Sequence, residues 1–441
     1  MKRLLSLLLC AVLALFCATT AQAAGVSITL TASEYALHYA FDAGAQDTFV
    51  ILEYATPAEK GWMMLYSEDG HFEGDVSLAY SGAGGKTSVA LTSARTTGSI
   101  GKASTTLPKA ADYQKPTGKS NAKVMDFVLT ETPEGFHYAF NAAGTDYMLL
   151  YWRSKEQTVT QPVYPDENGH YEGDVVSELT FARTQFTVQV KSGSGSMKKE
   201  ATVRKGYQAP EAPQRQEGRL SGVTVCIDAG HQENGRFVNE PIGPGLSGST
   251  SGKGGMAQGT KTNRRESIVC LEIGMLLRDE LLRQGANVIM TREDQTTFHT
   301  NIERCEIAEA GGAQIMLRLH CNNSSNHSKR GIQVYGPLNS DYAKAVADAD
   351  TYREMGQKLL DAMKTRVGMT LANSTGMVRL NDNYVGNNWA KMMCFLVEMG
   401  YLSNPAEEYL LVTPVYQQWL AEGMADGVYE IAVARGWVQA Q

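Results

Sequence analysis

Three apolar runs in the second half of the chain each end on a single chemically capable side chain. They are Val223-Thr-Val-Cys-Ile-Asp-Ala-Gly-His231, Ile315-Met-Leu-Arg-Leu-His320 and Met393-Cys-Phe-Leu-Val-Glu398. Runs this apolar and this rich in β-branched residues read as strands covered on both faces. Gly230 permits the turn that ends the first. In open α/β sheets ligands bind just beyond strand carboxyl ends, which is where His231, His320 and Glu398 fall. Helical and extended patterns alternate between them. Ser267–Gln284 carries Ile268, Leu271, Met275 and Leu282 mostly on one helical face, and Gly285 stops it. Asn287–Thr291 reads as a strand, Ile302–Ala310 as a helix, and Ile332–Tyr335 as a short strand. Tyr352–Arg366 and Val415–Ala434 read as helices. Residues 219–441 are therefore expected to form an α/β catalytic domain, a mostly parallel sheet covered by helices.

The first half follows a different rule. His38-Tyr-Ala-Phe41 recurs as His137-Tyr-Ala-Phe140. Gly70-His-Phe-Glu-Gly-Asp-Val76 recurs at the same offset as Gly169-His-Tyr-Glu-Gly-Asp-Val175. Short aromatic and β-branched segments separated by turn signals predict two repeated all-β sandwich-like modules, 24–106 and 123–206. The stretch from about 107 to 122 is expected to join them. A Pro-containing polar linker, 207–218, leads into the α/β domain. Either of two roles suits the repeats: binding a partner, or acting as a spacer. Trp62, Tyr66 and Trp152 are candidates for stacking on sugars, or are core residues.

The N-terminus reads as a targeting segment. Lys2 and Arg3 precede an apolar run, and Ala21-Gln-Ala23 is a small-x-small cleavage pattern, so residues 1–23 are expected to be removed as a signal peptide. The protein is expected in the secreted or cell-envelope fraction. No membrane span is expected after cleavage, because that run is too short and no later one approaches it. A net charge of −7 gives no footprint for nucleic acid. Beyond the leader, Cys226, Cys270, Cys305, Cys321 and Cys394 are odd in number and lack close spacing, so they are expected to be free, buried thiols.

Four of the eight histidines, His38, His71, His137 and His170, are repeat-related and read as structural. His299 and His327 lie in polar loop-like stretches. His231 and His320 share strand-end positions, and suit either metal ligation or satisfied polar roles. A catalytic zinc takes three protein ligands and leaves a fourth position open. Glu266 is the third candidate, although Asn263 with Glu266 three residues on also resembles a capping box. Glu398 follows an apolar strand, where an unpaired charge is costly unless a cation or metal-bound water lies nearby. That placement suits a general base and acid.

Four stretches together resemble the zinc-dependent N-acetylmuramoyl-L-alanine amidases. They are Ile227-Asp-Ala-Gly-His231, the Glu266-led helix running to Gly285-Ala-Asn-Val-Ile-Met-Thr-Arg292, Leu317-Arg-Leu-His-Cys-Asn322, and Leu396-Val-Glu-Met-Gly-Tyr-Leu-Ser-Asn404. The resemblance runs from about Val223 to the C-terminus. It implies zinc (Zn2+) on His231, Glu266 and His320, a zinc-bound water as nucleophile, and Glu398 as general base and then acid. It implies hydrolysis of the amide between the lactyl group of muramic acid and L-alanine in peptidoglycan. Asn322 and Arg379 are candidate substrate contacts, Arg379 because its fork pairs with carboxylates. Asp228 is a candidate support for His231, or an Asx-turn residue. The chain departs from the family at Ala229 and Gln232, where Pro and Gly are usual. It also has a longer segment before Glu266, containing the Gly/Ser-rich stretch 243–255, which either lines the substrate groove or is a surface insertion. Two alternatives stand beside this reading: another zinc hydrolase of cell-wall peptides or acetyl groups, and a noncatalytic wall-binding protein.

Overall fold

The structure is a computed structural model that describes residues 18–21, 25–96, 98–154, 157–176, 183–204, 210–232, 238–250, 255–368 and 377–440. The chain divides into two compact units, Met1–Arg204 and Lys205–Gln441.

The first unit is all β. Its strands are β1 (Ala18–Ala21), β2 (Ile28–Ser33), β3 (Ala36–Asp42), β4 (Phe49–Ala55), β5 (Glu59–Tyr66), β6 (His71–Ser77), β7 (Gly85–Ser93) and β8 (Ser99–Leu107). They continue with β9 (Met125–Thr132), β10 (Gly135–Asn141), β11 (Met148–Arg153), β12 (Gln157–Val163), β13 (His170–Val176), β14 (Arg183–Ser192) and β15 (Gly195–Arg204). Alternation drives these strands to bury one face. In β11, Met148, Leu150 and Trp152 are buried while the residues between them are less so. Ile28, Leu37, Phe41, Leu52, Phe72 and Leu91 form one core, and Phe136, Phe140, Leu150, Trp152, Tyr171 and Phe186 form another. The pairing His38↔Asp75 of β3 on β6 has its counterpart in His137↔Asp174 of β10 on β13.

The two halves are not separate modules joined only by a tether. β5 pairs with β12, from Gln157↔Gly61 to Val159↔Glu59, so one eight-stranded sheet runs through both in the order β15-β14-β11-β12-β5-β4-β7-β8. Pairing these two strands covers edges that would otherwise expose unmet backbone groups. Trp152 is fully buried against Phe136 and Phe186, which rules it out as a sugar platform, whereas Tyr66 is exposed. β1 lies inside the expected leader and pairs with β2. Residues 1–17 and the expected cleavage site after Ala23 lie outside the described residues.

The second unit contains β16 (Thr224–Ala229), α1 (Glu266–Arg283), β17 (Asn287–Met290), α2 (Asn301–Ala310), β18 (Ile315–Asn322), β19 (Gln333–Gly336), α3 (Asp341–Val346) and α4 (Ala349–Val367). β20 (Met377–Leu380), α5 (Val385–Trp389), β21 (Met393–Tyr401), α6 (Glu407–Leu410) and α7 (Pro414–Ala434) complete it. The sheet order is β17-β16-β18-β21-β19-β20. The sheet is mixed, so the mostly parallel expectation holds only in part. β17, β16, β18 and β21 run parallel, but β19 lies antiparallel to β21 and carries β20 with it. Four-residue strands such as β19 do not announce their direction in sequence, because the connections around them decide it. β16, β18 and β21 are almost wholly buried, as uninterrupted apolar runs require. Helices α1 and α4 pack on α7. The five cysteines among the described residues, Cys226, Cys270, Cys305, Cys321 and Cys394, are free and buried. The expected linker is partly docked: Arg278 donates to Pro210 O at 2.8 Å, and Gln216 N donates to Leu282 O at 3.0 Å. No helix among the described residues is long and apolar enough to cross a membrane.

Candidate active site

His231 leaves β16 in the left-handed region, with φ 58°. A non-glycine residue there is strained, and two buried arginines hold the turn. Arg292 donates to Ala229 O (2.7 Å), Gly230 O (2.9 Å) and Ser267 O (2.7 Å), tying the strand end to the start of α1. Arg304 donates to Ala229 O (3.1 Å) and His231 O (3.3 Å), and also meets Gln232 Oε1. Gly230 is obligatory: a Cβ there would lie 2.4 Å from Leu319 O and 2.7 Å from His320 Nε2.

Asp228 does not touch His231, and its oxygens make no Asx turn. It accepts from Arg304, from Arg318 Nε at 2.9 Å and from Thr291 Oγ1 at 2.8 Å. Full burial would push this carboxyl up, but the two guanidinium groups hold it far below the ordinary carboxylate range. Its support for His231 is indirect, through Arg304.

Glu266 opens α1 without capping it. The N-cap is Arg265, which makes no side-chain cap, so the capping-box alternative falls. The Glu266 carboxylate turns inward instead. Its Oε2 accepts from Ala257 N at 2.7 Å. Its Oε1 meets His320 Nδ1 at 2.9 Å, His231 Nε2 at 3.1 Å and Cys321 N at 3.1 Å. Burial raises its carboxyl, but the bonds to His231 and His320 outweigh that and hold it well below the usual range. Burial pushes the His320 imidazole down, against the pull of Glu266. The two rings lie 4.9 Å apart at 80°.

The register of β18 and β21 sets Glu398 opposite His320. Its Oε2 has no hydrogen-bond partner among the described residues. Burial, and then the negative charge of Glu266, push its carboxyl well above the ordinary value. His231, Glu266, His320 and Glu398 line one cleft of about 1190 Å³. The insertion before Glu266 forms part of its wall through Val238, Glu240, Ile242 and Leu246. This wall is anchored. Glu240 caps α2 at Asn301 N and Ile302 N, and Trp389 Nε1 donates to Pro241 O at 2.9 Å. Residues 233–237 and 251–254 of the insertion lie outside the described residues.

Asn322 lies on the cleft wall and on the wall of a second, smaller pocket. Its Nδ2 donates to Gln333 Oε1 at 3.2 Å. Arg379, exposed on β20, lines only the smaller pocket. Sequence reasoning singled out neither Arg304 nor Arg318. A basic residue inside Ile315-Met-Leu-Arg-Leu is itself a signal, because arginine is almost never fully buried without a partner.

A site of this kind can hold a metal ion. His231, Glu266 and His320 each offer a ligand atom within 4.8 Å of the others, the one such group among the described residues. The contacts of 3.1 Å and 2.9 Å approach the roughly 3.4 Å edge of a tetrahedron with metal bonds of about 2.1 Å. Two imidazoles and a carboxylate suit zinc, and Glu398, with one buried carboxylate oxygen unpartnered among the described residues, lines the same cleft.

Residues 225–430 match the family Amidase_3, N-acetylmuramoyl-L-alanine amidase, and the C-terminal half of the chain is a domain of that family. The germination-specific N-acetylmuramoyl-L-alanine amidase of Bacillus subtilis is 26% identical over 231 residues, which cover 49% of this chain and 83% of that one. The probable cell wall amidase LytH of Staphylococcus aureus is 27% identical over 218 residues, covering 48% of this chain and 60% of its own length. A crystal structure of an N-acetylmuramoyl-L-alanine amidase from Clostridium difficile 630 is 24% identical, with a TM-score of 0.38, covering 48% of this chain and 96% of that one.

Proposed function

We propose that this chain is a secreted, zinc-dependent N-acetylmuramoyl-L-alanine amidase that hydrolyses the amide joining the muramic acid lactyl group to L-alanine in peptidoglycan. His231, Glu266 and His320 would hold the metal. When bound, the zinc supplies a Lewis acid that lowers the pKa of water, polarises the amide carbonyl and draws Glu398 back towards its ionised form. Glu266 accepts from Ala257 N and Cys321 N, which fixes its carboxylate in place. Glu398 takes the proton of the attacking water and returns it to the alanine nitrogen as the C–N bond breaks. Asn322, on the wall of the same cleft, would contact the substrate. The β unit is read as a wall- or partner-binding element, which would raise local enzyme concentration on an insoluble polymer.

The observation that carries this reading is the unpartnered Glu398 oxygen, opposite His320 in one cleft with all three ligand candidates. The test is digestion of purified peptidoglycan with and without a chelator, with products identified by mass spectrometry. Metal-dependent release of stem peptides with a free L-alanine amine is expected. Cleavage at another bond would refute the assignment.

A further inference from the structure

We infer that the smaller pocket is a subsite for an acidic stem peptide, receiving a free carboxylate two or three residues beyond the scissile amide. The inference rests on the amidase reading and adds which stems the enzyme prefers.

The pocket has a volume of about 470 Å³, and Lys329, Arg330 and Arg379 are among its lining residues, which include no carboxylate. This charge runs against that of the chain as a whole, whose net charge is −7. The main cleft carries Asp228, Glu240, Glu266, Asp382 and Glu398, and its Arg304 and Arg318 are buried against Asp228. Of the two cavities, the smaller is therefore the one that offers an anionic ligand exposed cations, Lys329 and Arg379, while Arg330 also has Glu407 beside it. Asn322 and Asn323 line both cavities, so one extended ligand can occupy them together.

The reach fits. Gln333 of β19 is opposite Glu398, and Arg379 of β20 is opposite Tyr335. Arg379 thus lies two strands from the proton-transferring carboxylate, on the order of 10 Å at about 4.8 Å per strand. An extended peptide covers that in about three residues. The Nε of Arg379 meets the neutral Met377 sulfur. Its guanidinium fork matches the geometry of a carboxylate. Gln333 Oε1 accepts from Tyr335 Oη and Asn322 Nδ2, and its side chain also meets Tyr401, which fixes it on the wall shared by the two cavities. In peptidoglycan the second stem residue is commonly a γ-linked glutamate, whose α-carboxylate is free in some walls and amidated in others. A cationic pocket at this distance distinguishes the two.

The test uses the full, zinc-loaded chain and two soluble muropeptides that differ only in whether this α-carboxylate is free or amidated. The wild type is expected to cut the free acid with a kcat/KM roughly five- to tenfold higher, the difference lying in KM. Arg379→Gln, and separately Lys329→Gln with Arg330→Gln, should shrink that preference to about twofold or less by weakening binding of the free acid alone. Arg379 is exposed, so its variant should melt with the wild type, which a thermal scan checks. Equal cleavage of both muropeptides by wild type, or a preference that survives both variants, overturns the subsite and leaves the amidase reading intact. Failure to cut either one overturns the amidase reading, and the subsite with it.

Discussion

Glu398 and His320 are direct partners in the parallel register of β18 and β21, so the proposed proton-handling group and a ligand candidate sit side by side on neighbouring strands. Strand pairing fixes this relationship, and no loop has to close to create it. The cost is a carboxylate pressed towards its protonated form, with one oxygen unpartnered.

Gly230→Ala tests how tightly the site is built. Its Cβ would overlap Leu319 O and the His320 ring, and neither is a flexible side-chain end. The variant should fold with weakened metal affinity, by roughly 10–100-fold. Titration against a competing chelator measures it.

Asp228→Asn removes one charge from a buried cluster and leaves Arg304 and Arg318 without their counter-ion. Loss of one partner from a buried ion pair costs about 3–5 kcal/mol. Urea unfolding should show a loss of that size. Because Arg304 also donates to His231 O, metal affinity should fall with it.

Glu407 gives a pH dependence away from the metal candidates. Burial raises its carboxyl from 4.5 to about 7, although it accepts from Gly331 N and Tyr401 N. Between these values the unfolded chain has released the proton and the folded chain retains it. Stability should therefore fall as pH rises from about 4.5 to about 7. Glu407→Gln cannot titrate and should flatten that part of the profile in thermal melts at stepped pH. An unchanged slope would assign the dependence to another group.

The histidines and Glu398 were legible in the sequence because each ends an apolar run, and a strand end admits few roles. Glu266 was legible only through motif order, since its position also suits a helix cap. Arg292, Arg304 and Arg318 were harder. What matters is that they converge on the turn at 229–231 and on Asp228, and convergence across 62 to 90 residues of chain leaves no local pattern. The direction of β19 and the β5–β12 pairing were hidden for the same reason. Both are set by long-range partners, not by the periodicity of the strands themselves.

Deletion of residues 25–209 separates chemistry from targeting. Activity on small soluble muropeptides should hardly change, while cleavage of intact wall should drop and the isolated β unit should sediment with wall or a wall-bound partner. Loss of activity on soluble fragments in a folded, zinc-loaded protein would mean that the β unit helps build the site.

The most direct test measures bound zinc per chain and muropeptide turnover together in wild type, His320→Ala and Glu398→Gln. The account predicts one zinc in wild type, loss of zinc and turnover in His320→Ala, and full zinc with most turnover lost in Glu398→Gln. Full zinc in His320→Ala, or near-normal turnover in Glu398→Gln, would contradict it.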